Sequence, residues 1–258
     1  MVKVSVLVAV YNAAAYLRQC LDSLLGQELA DIQIVCVDDC STDGSWAILE
    51  EYARTDSRVT TVRLMRNQGQ AHARNEGLKV AVGEYICMLD ADDWLSADAL
   101  SETVKVFEKH PSADCVLFDV VMAWPDRSER YDMPDFVKIS GEEAFKLSLT
   151  WKVHGLYMIK RGIHVKYPYD ETCRLYSDDN TTRIHYLVAR EVRRSSGRYY
   201  YRQHGMSATH KVSVRRFDYL KANESMKSQM EALGVDADVL ALYENVRWMN
   251  LIDVDMFY

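Results

Sequence analysis

Residues 67–94 read NQGQAHARNEGLKVAVGEYICMLDADDW. A polar, Gly-punctuated turn leads into a short helix, and an apolar strand at residues 84–89 then runs straight into Asp90, Asp92 and Asp93. Carboxylates are rarely buried unless paired or bound to a cation, so three acids in four positions at a strand end read as a holder for a divalent metal. Hard oxygen ligands suit Mg²⁺ or Mn²⁺, which keep positions open for water and for the phosphates of a substrate. That points to a nucleotide-linked substrate. The other reading of the same acids is a helix N-terminus at Asp92 or Asp93, where the dipole of a following helix favours negative charge. One acid can serve both ends.

Outward from this stretch, strand and helix alternate. Residues 4–10 form an apolar run expected of a strand buried on both faces. Asn12 is placed to cap the next helix, in which Leu17, Cys20, Leu21, Leu24 and Leu25 make an inward stripe. Residues 32–37 form a second strand that ends in the turn-forming VDDCSTDG cluster. A helix over 45–53, a strand over 59–65, a helix over 70–82 and the strand over 84–89 complete the pattern. Such alternation implies an open parallel sheet with right-handed crossovers. Ligands of such sheets bind beyond the carboxyl ends of the strands, which sets Tyr11, Asp39, Asn67 and Asp90 along one rim.

The second half reads as a helix over 97–109 closed by Pro111, a strand over 115–121, and a polar loop or irregular hairpin over 123–140 carrying Pro125 and Pro134. A helix over 141–149, a short strand over 153–159 and a loop over 167–175 follow. Ser177 to Asp179 can cap a helix through Ile184, Leu187 and Val188. Residues 191–203 alternate as a late strand, residues 204–211 are a polar loop, and from 213 onward the pattern is helical. The organisation expected is a domain over 1–212, with a nucleotide-binding half (1–95) and an acceptor-binding half (96–212), plus a helical appendage over 213–258. The last residues, LIDVDMFY, stop without a cap or polar tail, as a chain cut from a longer protein would.

With 258 residues the chain can bury an ample core. A formal net charge of -7 argues against a dedicated nucleic-acid binder, which would carry a basic face. The apolar run at 4–10 is too short to span a bilayer and has no charged leader before it, so the expected location is cytoplasmic, the inner face of the membrane included. The helical tail leaves room for peripheral membrane association or a homodimer. Six cysteines without a CxxC pair read as buried reduced thiols.

Two common phosphate-binding devices are missing: there is no GxxxxGK followed by Ser or Thr, and no GxGxxG after the first strand, which continues AVYNAAAYL. Acids stand where those families have glycines. A carboxylate can accept from a pyrimidine imide N–H or a ribose hydroxyl, and a diphosphate then needs a metal and basic groups, for which Arg66, Arg74, Arg202, His204 and Lys211 are at hand. The ordered set VSVLVAVYN, VDDCSTDGS, RNQGQAHARNEG and MLDADDW closely resembles glycosyltransferase family 2 of the GT-A fold, and the likeness continues more weakly through Asp178-Asp179 to YYRQHGMSAT.

The resemblance implies an α/β GT-A fold with an open, mainly parallel sheet flanked by helices. It also implies inverting transfer of a hexosyl or N-acetylhexosaminyl group from a nucleotide-diphosphate sugar, usually a UDP-sugar, to a hydroxyl of a glycan or lipid-linked acceptor, with Mn²⁺ or Mg²⁺, in cell-surface or capsular polysaccharide biosynthesis. Ala9 and Tyr11 match the positions lining the nucleobase pocket, with Ala9 replacing the usual proline. Asp39 matches the uracil-holding acid, with Asp38 orienting its loop. Asn67 and Arg74 match donor contacts, against a plain turn residue and a helix-surface ion pair. In Asp90-Ala91-Asp92 the DXD motif makes Asp92 the metal ligand and Asp90 a ribose or sugar contact, with Asp93 supporting or capping.

The family's base falls in a Glu-Asp pair; here Asp179 holds the base position and Asp178 replaces the glutamate, which leaves open which acid acts, or whether both only cap the helix. Arg202, His204 and Ser207 match a loop over the donor diphosphate, His204 contacting phosphate or metal. Trp151, Lys152 and His154 fall on the acceptor side, Trp151 also fitting a core position. Two other functions stand beside transfer: a nucleotide-sugar-binding protein without turnover, and a sugar nucleotidyltransferase, whose Gly-rich signature after strand one this chain lacks.

Overall fold

The computed structural model describes residues 1–173, 177–204 and 217–256. The chain begins β1 (Val4–Val10), α1 (Leu17–Leu25), β2 (Ile32–Asp38), α2 (Ser45–Thr55), β3 (Val59–Arg63), α3 (Gln70–Val80) and β4 (Tyr85–Met88). It continues β5 (Trp94–Leu95), α4 (Ala99–Lys109), β6 (Cys115–Ala123), β7 (Ser128–Arg130), β8 (Lys138–Ser140), α5 (Gly141–Ser148), β9 (Tyr157–Lys160) and α6 (Arg161–Lys166). The later elements are α7 (Ser177–Val188), β10 (Glu191–Arg202), α8 (Asp218–Ala232) and α9 (Ala237–Met256).

All the strands join one sheet in the order β3-β2-β1-β4-β9-β6-β10-β5, with β7 on β6 and β8 on β10. The four strands foreseen from the βα alternation are parallel to one another. The far half is mixed: β9 runs antiparallel to both β4 and β6, β6 and β10 are parallel, and β5 is antiparallel to β10. Because side chains alternate along a strand, Val4, Val6, Val8 and Val10 enter one core with Leu17, Leu21 and Leu24 of α1, while Leu7 enters the other with Ala73 and Leu78 of α3. Both faces of β1 are thus covered, which explains its unbroken apolar run.

Three local expectations change. Asn12 does not cap α1; that helix starts after Tyr16, and Asn12 turns the chain at φ 50° while its Oδ1 accepts from Thr42 N at 2.8 Å. The strand expected over 153–159 is confined to β9, four residues that pair with β4 and β6. Asp92 and Asp93 head no helix, because the chain enters β5, where Trp94 and Leu95 pair with Tyr200 and Tyr199 of β10, and α4 begins only at Ala99.

Helix α8 lies on α7, where Asn180 Nδ2 donates to Ala222 O at 2.7 Å, and Met226, Met230 and Tyr243 share the core of β9. The expected division at 212/213 lies outside the described residues, as do Ser207 and Lys211. Among the described residues no helix is long and apolar enough to cross a membrane.

Candidate active site

Parallel register brings the strand ends level. Val10 pairs with Asp38 and Leu7 with Met88, so the residues just past β1, β2 and β4 form one rim. Asp39 N donates to Val10 O at 2.8 Å and locks two of those ends together. The buried Asp39 carboxylate accepts from Gln68 N and Gly69 N, each at 2.8 Å. Gly69 sits at φ 97°, a conformation costly for any residue with a Cβ, and this turn is what aims the two amides at Asp39. Asn67 Nδ2 donates to Asp39 O at 3.3 Å, and Asp38 receives Ser41 N at 3.2 Å. The expected nucleobase rim is therefore knitted by side chain to backbone bonds. A carboxylate has about four acceptor sites, so Asp39 retains capacity for a ligand donor.

Asp90 Oδ1 accepts from Arg74 Nη2 at 2.7 Å and from Gln70 Nε2 at 2.9 Å. Burial pushes its carboxyl up, and the Arg74 charge holds it back. Asp92 Oδ2 lies 2.8 Å from His204 Nε2, and the His204 ring stacks on Tyr16 with centroids 4.9 Å apart. Asp93 is fully buried and binds Tyr199 OH at 2.8 Å and Arg202 N at 2.7 Å. Burial raises its carboxyl, and the charges of Asp90 and Asp92 raise it further. Asp93 therefore ties the acidic turn to β10 and leaves Asp90 and Asp92 facing outward.

Across from these acids stands the first turn of α7. Arg74, 1 % exposed, reaches Asp90 with Nη2, lies 3.5 Å from Asp178 Oδ2 with Nη1, and packs against Tyr169 at 5.2 Å. Its burial excludes the helix-surface ion pair. The Asp179 carboxyl is raised to about 7, first by burial and then by the Asp178 charge, with Arg183 acting in the opposite direction.

One cavity of about 840 Å³ contains the whole arrangement. Ala9, Tyr11, Asp39, Asn67, Arg74, Asp90 and Asp92 line it, as do Asp178, Asp179, His204, Trp151 and His154. Among the described residues, two of those expected at the site are not in its wall. Lys152 is exposed to solvent. Arg202 points behind the acidic turn: Nε donates to Asp92 O and Nη2 to Gln19 Oε1, both at 2.6 Å, and its guanidinium stacks between Trp94 and Tyr16 at 4.6 and 4.8 Å. The sequence reading missed Tyr131, His164 and Tyr169 of the lining and Arg183 behind it. Tyr131 lies in the stretch that reads as a polar loop or irregular hairpin, and the others carry no local motif.

Among the described residues no three His, Cys, Asp or Glu side chains converge as a closed metal cage. The Asp92–His204 pair offers one carboxylate and one imidazole. That set fits an ion of the Mg²⁺ or Mn²⁺ kind, which takes one or two protein ligands and fills its other positions with water and substrate phosphates.

A parallel α/β sheet with acids at its strand ends, joined to a mixed second half that brings carboxylates across the cleft, is the architecture of a GT-A nucleotide-diphosphosugar transferase. The chain belongs to glycosyl transferase family 2, whose profile matches residues 5–168. It is 43% identical over 102 residues to the putative glycosyltransferase EpsH of Bacillus subtilis, a match covering 40% of this chain and 29% of that protein. It is 37% identical over 118 residues to the poly(ribitol-phosphate) beta-glucosyltransferase of Bacillus spizizenii, covering 45% of this chain and 18% of that protein. The match thus spans less than a third of either relative. The crystal structure of S. aureus TarS 1-349 in complex with UDP-GlcNAc aligns with a TM-score of 0.81 at 22% identity, over 96% of this chain and 73% of that one. At that identity the likeness concerns the fold alone.

Proposed function

We propose that this chain is an inverting, metal-dependent glycosyltransferase that moves a sugar from a UDP-sugar to a hydroxyl of a cell-surface glycan or lipid-linked acceptor. The observation that carries the reading is one cavity with nucleotide-side acids at one wall and Asp179 at the other, joined through Arg74. The UDP-GlcNAc complex of TarS and the polymer acceptor named for the Bacillus spizizenii relative support the donor and acceptor classes.

In this reading Asp39, Ala9 and Tyr11 hold the uracil, Asn67 supports their loop, and Asp90 receives a ribose or sugar hydroxyl. Asp92 and His204 are the residues that would hold Mn²⁺ or Mg²⁺, which when bound supplies positive charge for the departing diphosphate. Asp179 takes the proton of the acceptor hydroxyl as its oxygen bonds to the anomeric carbon and the bond from that carbon to the diphosphate oxygen breaks. Asp178 is the weaker candidate for this step because its carboxylate is engaged by Arg74 at 3.5 Å. A carboxyl raised to about 7 has the basicity that proton abstraction at neutral pH requires. Arg202, held behind Asp92, braces the acidic turn; the diphosphate contact of Ser207 rests on the family resemblance.

The test is to incubate the protein with Mn²⁺ and a panel of UDP-sugars and to measure release of UDP with and without acceptors. Turnover with at least one donor is expected. No turnover with any donor, together with UDP binding that survives Asp92→Asn, would overturn the metal-dependent reading and leave a nucleotide-sugar-binding protein.

A further inference from the structure

The two residues that flank Asp179 in the chain are held by different helices. Asp178 lies 3.5 Å from Arg74 of α3. Asn180, 1% exposed, has both hydrogens of its side-chain amide taken up: Nδ2 donates to Asp170 Oδ2 at 2.8 Å and to Ala222 O of α8 at 2.7 Å. An acid whose two chain neighbours are clamped has its own place set by them. The clamp on Asp178 belongs to the cleft, whereas the one on Asn180 is built behind it.

Asp170 is the centre of that second clamp. Besides Asn180, its Oδ2 accepts from Ser225 Oγ at 2.8 Å and from Gln229 Nε2 at 3.2 Å, both on α8. Its Oδ1 accepts from Thr172 N at 2.9 Å, and its own N–H donates at 3.0 Å to Oγ1 of the buried Thr181, one residue further along α7. Gln229 Nε2 also reaches Ser225 Oγ at 3.1 Å, so the donors of α8 are ordered among themselves. One carboxylate thus gathers donors from its own loop, from α7 and from α8. An ionised aspartate is acceptor-only and suits that ring of donors, while an asparagine of the same shape would bring an N–H₂ group of its own against them.

The residue before Asp170 is tied elsewhere. Asn75 of α3 accepts from Tyr169 N at 2.8 Å and donates to Tyr169 O at 2.9 Å, and the Tyr169 ring packs against Arg74. A change at Asp170 itself can therefore reach Arg74 through Tyr169. A change at Ser225 or Gln229 meets Asp170 from the far side of that tie and leaves the Asn75 bonds in place.

We infer that Asp170 is a positioning residue for the transfer: through Asn180 and Thr181 it fixes the first turn of α7 against Ser225 and Gln229 of α8, and so holds the Asp179 carboxylate in place. The inference rests on the transferase reading of the cleft. It gives α8 a share in turnover without a share in donor binding, because Asp39, Asp90 and Asp92 lie on the other wall.

The test is the double variant Ser225→Ala with Gln229→Ala, which removes two donors of α8, and beside it the stronger change Asp170→Asn. With a donor that the native protein turns over, kcat per folded molecule should fall about tenfold in the double variant, since a displacement of about 1 Å can cost about 10²-fold. UDP affinity and the KM for the donor should stay unchanged in the double variant. A second readout needs no turnover. NMR of protein carrying labelled aspartate carboxyls follows the titration of Asp179, raised to about 7 in the intact fold, its signal being the one that Asp179→Asn lacks. The double variant should move that titration by roughly half a unit or more toward the ordinary aspartate value. A merely structural part would lower the urea midpoint alone: a titration that stays in place, or an unchanged kcat of the folded protein, overturns the inference, as does a loss of UDP affinity as large as the loss of kcat. If the native protein releases no UDP from any donor and the titration still moves, the clamp on Asp179 stands and the transferase reading falls.

Discussion

Arg74 Nη2 donates to Asp90 Oδ1 at 2.7 Å from a guanidinium that is 1 % exposed, so the acid just past β4 is paired with a buried cation on α3. The same guanidinium has its other terminal nitrogen 3.5 Å from Asp178 at the start of α7. One buried cation thus spans the two walls of the cleft.

Removing that cation leaves two carboxylates crowded without a counter-charge. Breaking a buried charge pair from one side costs about 3–5 kcal/mol, and the cleft exposure of Asp90 and Asp178 puts Arg74→Met at the low end, about 3 kcal/mol. Urea unfolding measures it. Arg74→Lys keeps the charge but cannot reach both acids as a planar fork does, so it should retain most of the stability and lose at least tenfold in turnover. A loss of stability below about 0.5 kcal/mol for Arg74→Met, the range of an ordinary surface substitution, would show that the pair has no structural weight.

Asp179→Asn removes the proposed proton acceptor without changing the shape of the first turn of α7. General-base removal costs about 10²–10⁴ in rate. Transfer should fall by that amount while UDP affinity holds, whereas Asp178→Asn should leave more activity and disturb Arg74. Full activity in Asp179→Asn would take the base role away from it.

The pH profile follows from the raised carboxyl of Asp179, at about 7. The base works deprotonated, so kcat/KM should climb tenfold per pH unit up to about 7 and then level off. Stability has the opposite sign. An unfolded aspartate ionises near ~3.9, so between that value and about 7 the folded state holds a proton that the unfolded state releases. The Asp179 contribution therefore declines as pH rises through this window and is constant above it, and Asp179→Asn should gain more stability at pH 8 than at pH 4.

Metal removal gives the fourth outcome. With Asp92 and His204 holding the ion, EDTA should weaken UDP binding to the native protein by at least tenfold, and Mn²⁺ should restore it. In Asp92→Asn the affinity should be low and indifferent to either addition. Isothermal titration distinguishes the cases; metal-stimulated binding in Asp92→Asn would exclude Asp92 as the ligand.

The acidic turn also depends on Tyr199, whose hydroxyl donates to Asp93 at 2.8 Å and lies 3.2 Å from Asp90 N. Tyr199→Phe should lower stability by about 1–2 kcal/mol, since it leaves a buried carboxyl short of a donor. Donor affinity should fall with it, because the turn is what aims Asp90 and Asp92. Thermal unfolding and UDP titration check the two effects together.

The parallel half of the fold was legible because its signals are local. Continuous apolar runs, helical stripes and turn residues at strand ends each fall within about ten residues, and the carboxyl-end rule turns them into a rim of Tyr11, Asp39, Asn67 and Asp90. The second half was harder to read. β5 exists only because Trp94 and Leu95 meet β10, and β9 is bounded by its neighbours rather than by its own pattern. The motif carrying Arg202 likewise led to the wrong side of Asp92, because the stack of Tyr16, Arg202 and Trp94 joins three distant segments.

By itself, then, the sequence determined that acids would crowd the ends of parallel strands, since hydrophobic periodicity and turn chemistry act between near neighbours. Only the tertiary structure decided how those acids differ. Asp93 is buried against Tyr199, Asp90 and Asp178 share Arg74, and Asp179 is raised to about 7, through contacts between residues far apart in the chain. A carboxylate's basicity is set by the charges and the burial around it, and folding alone supplies those.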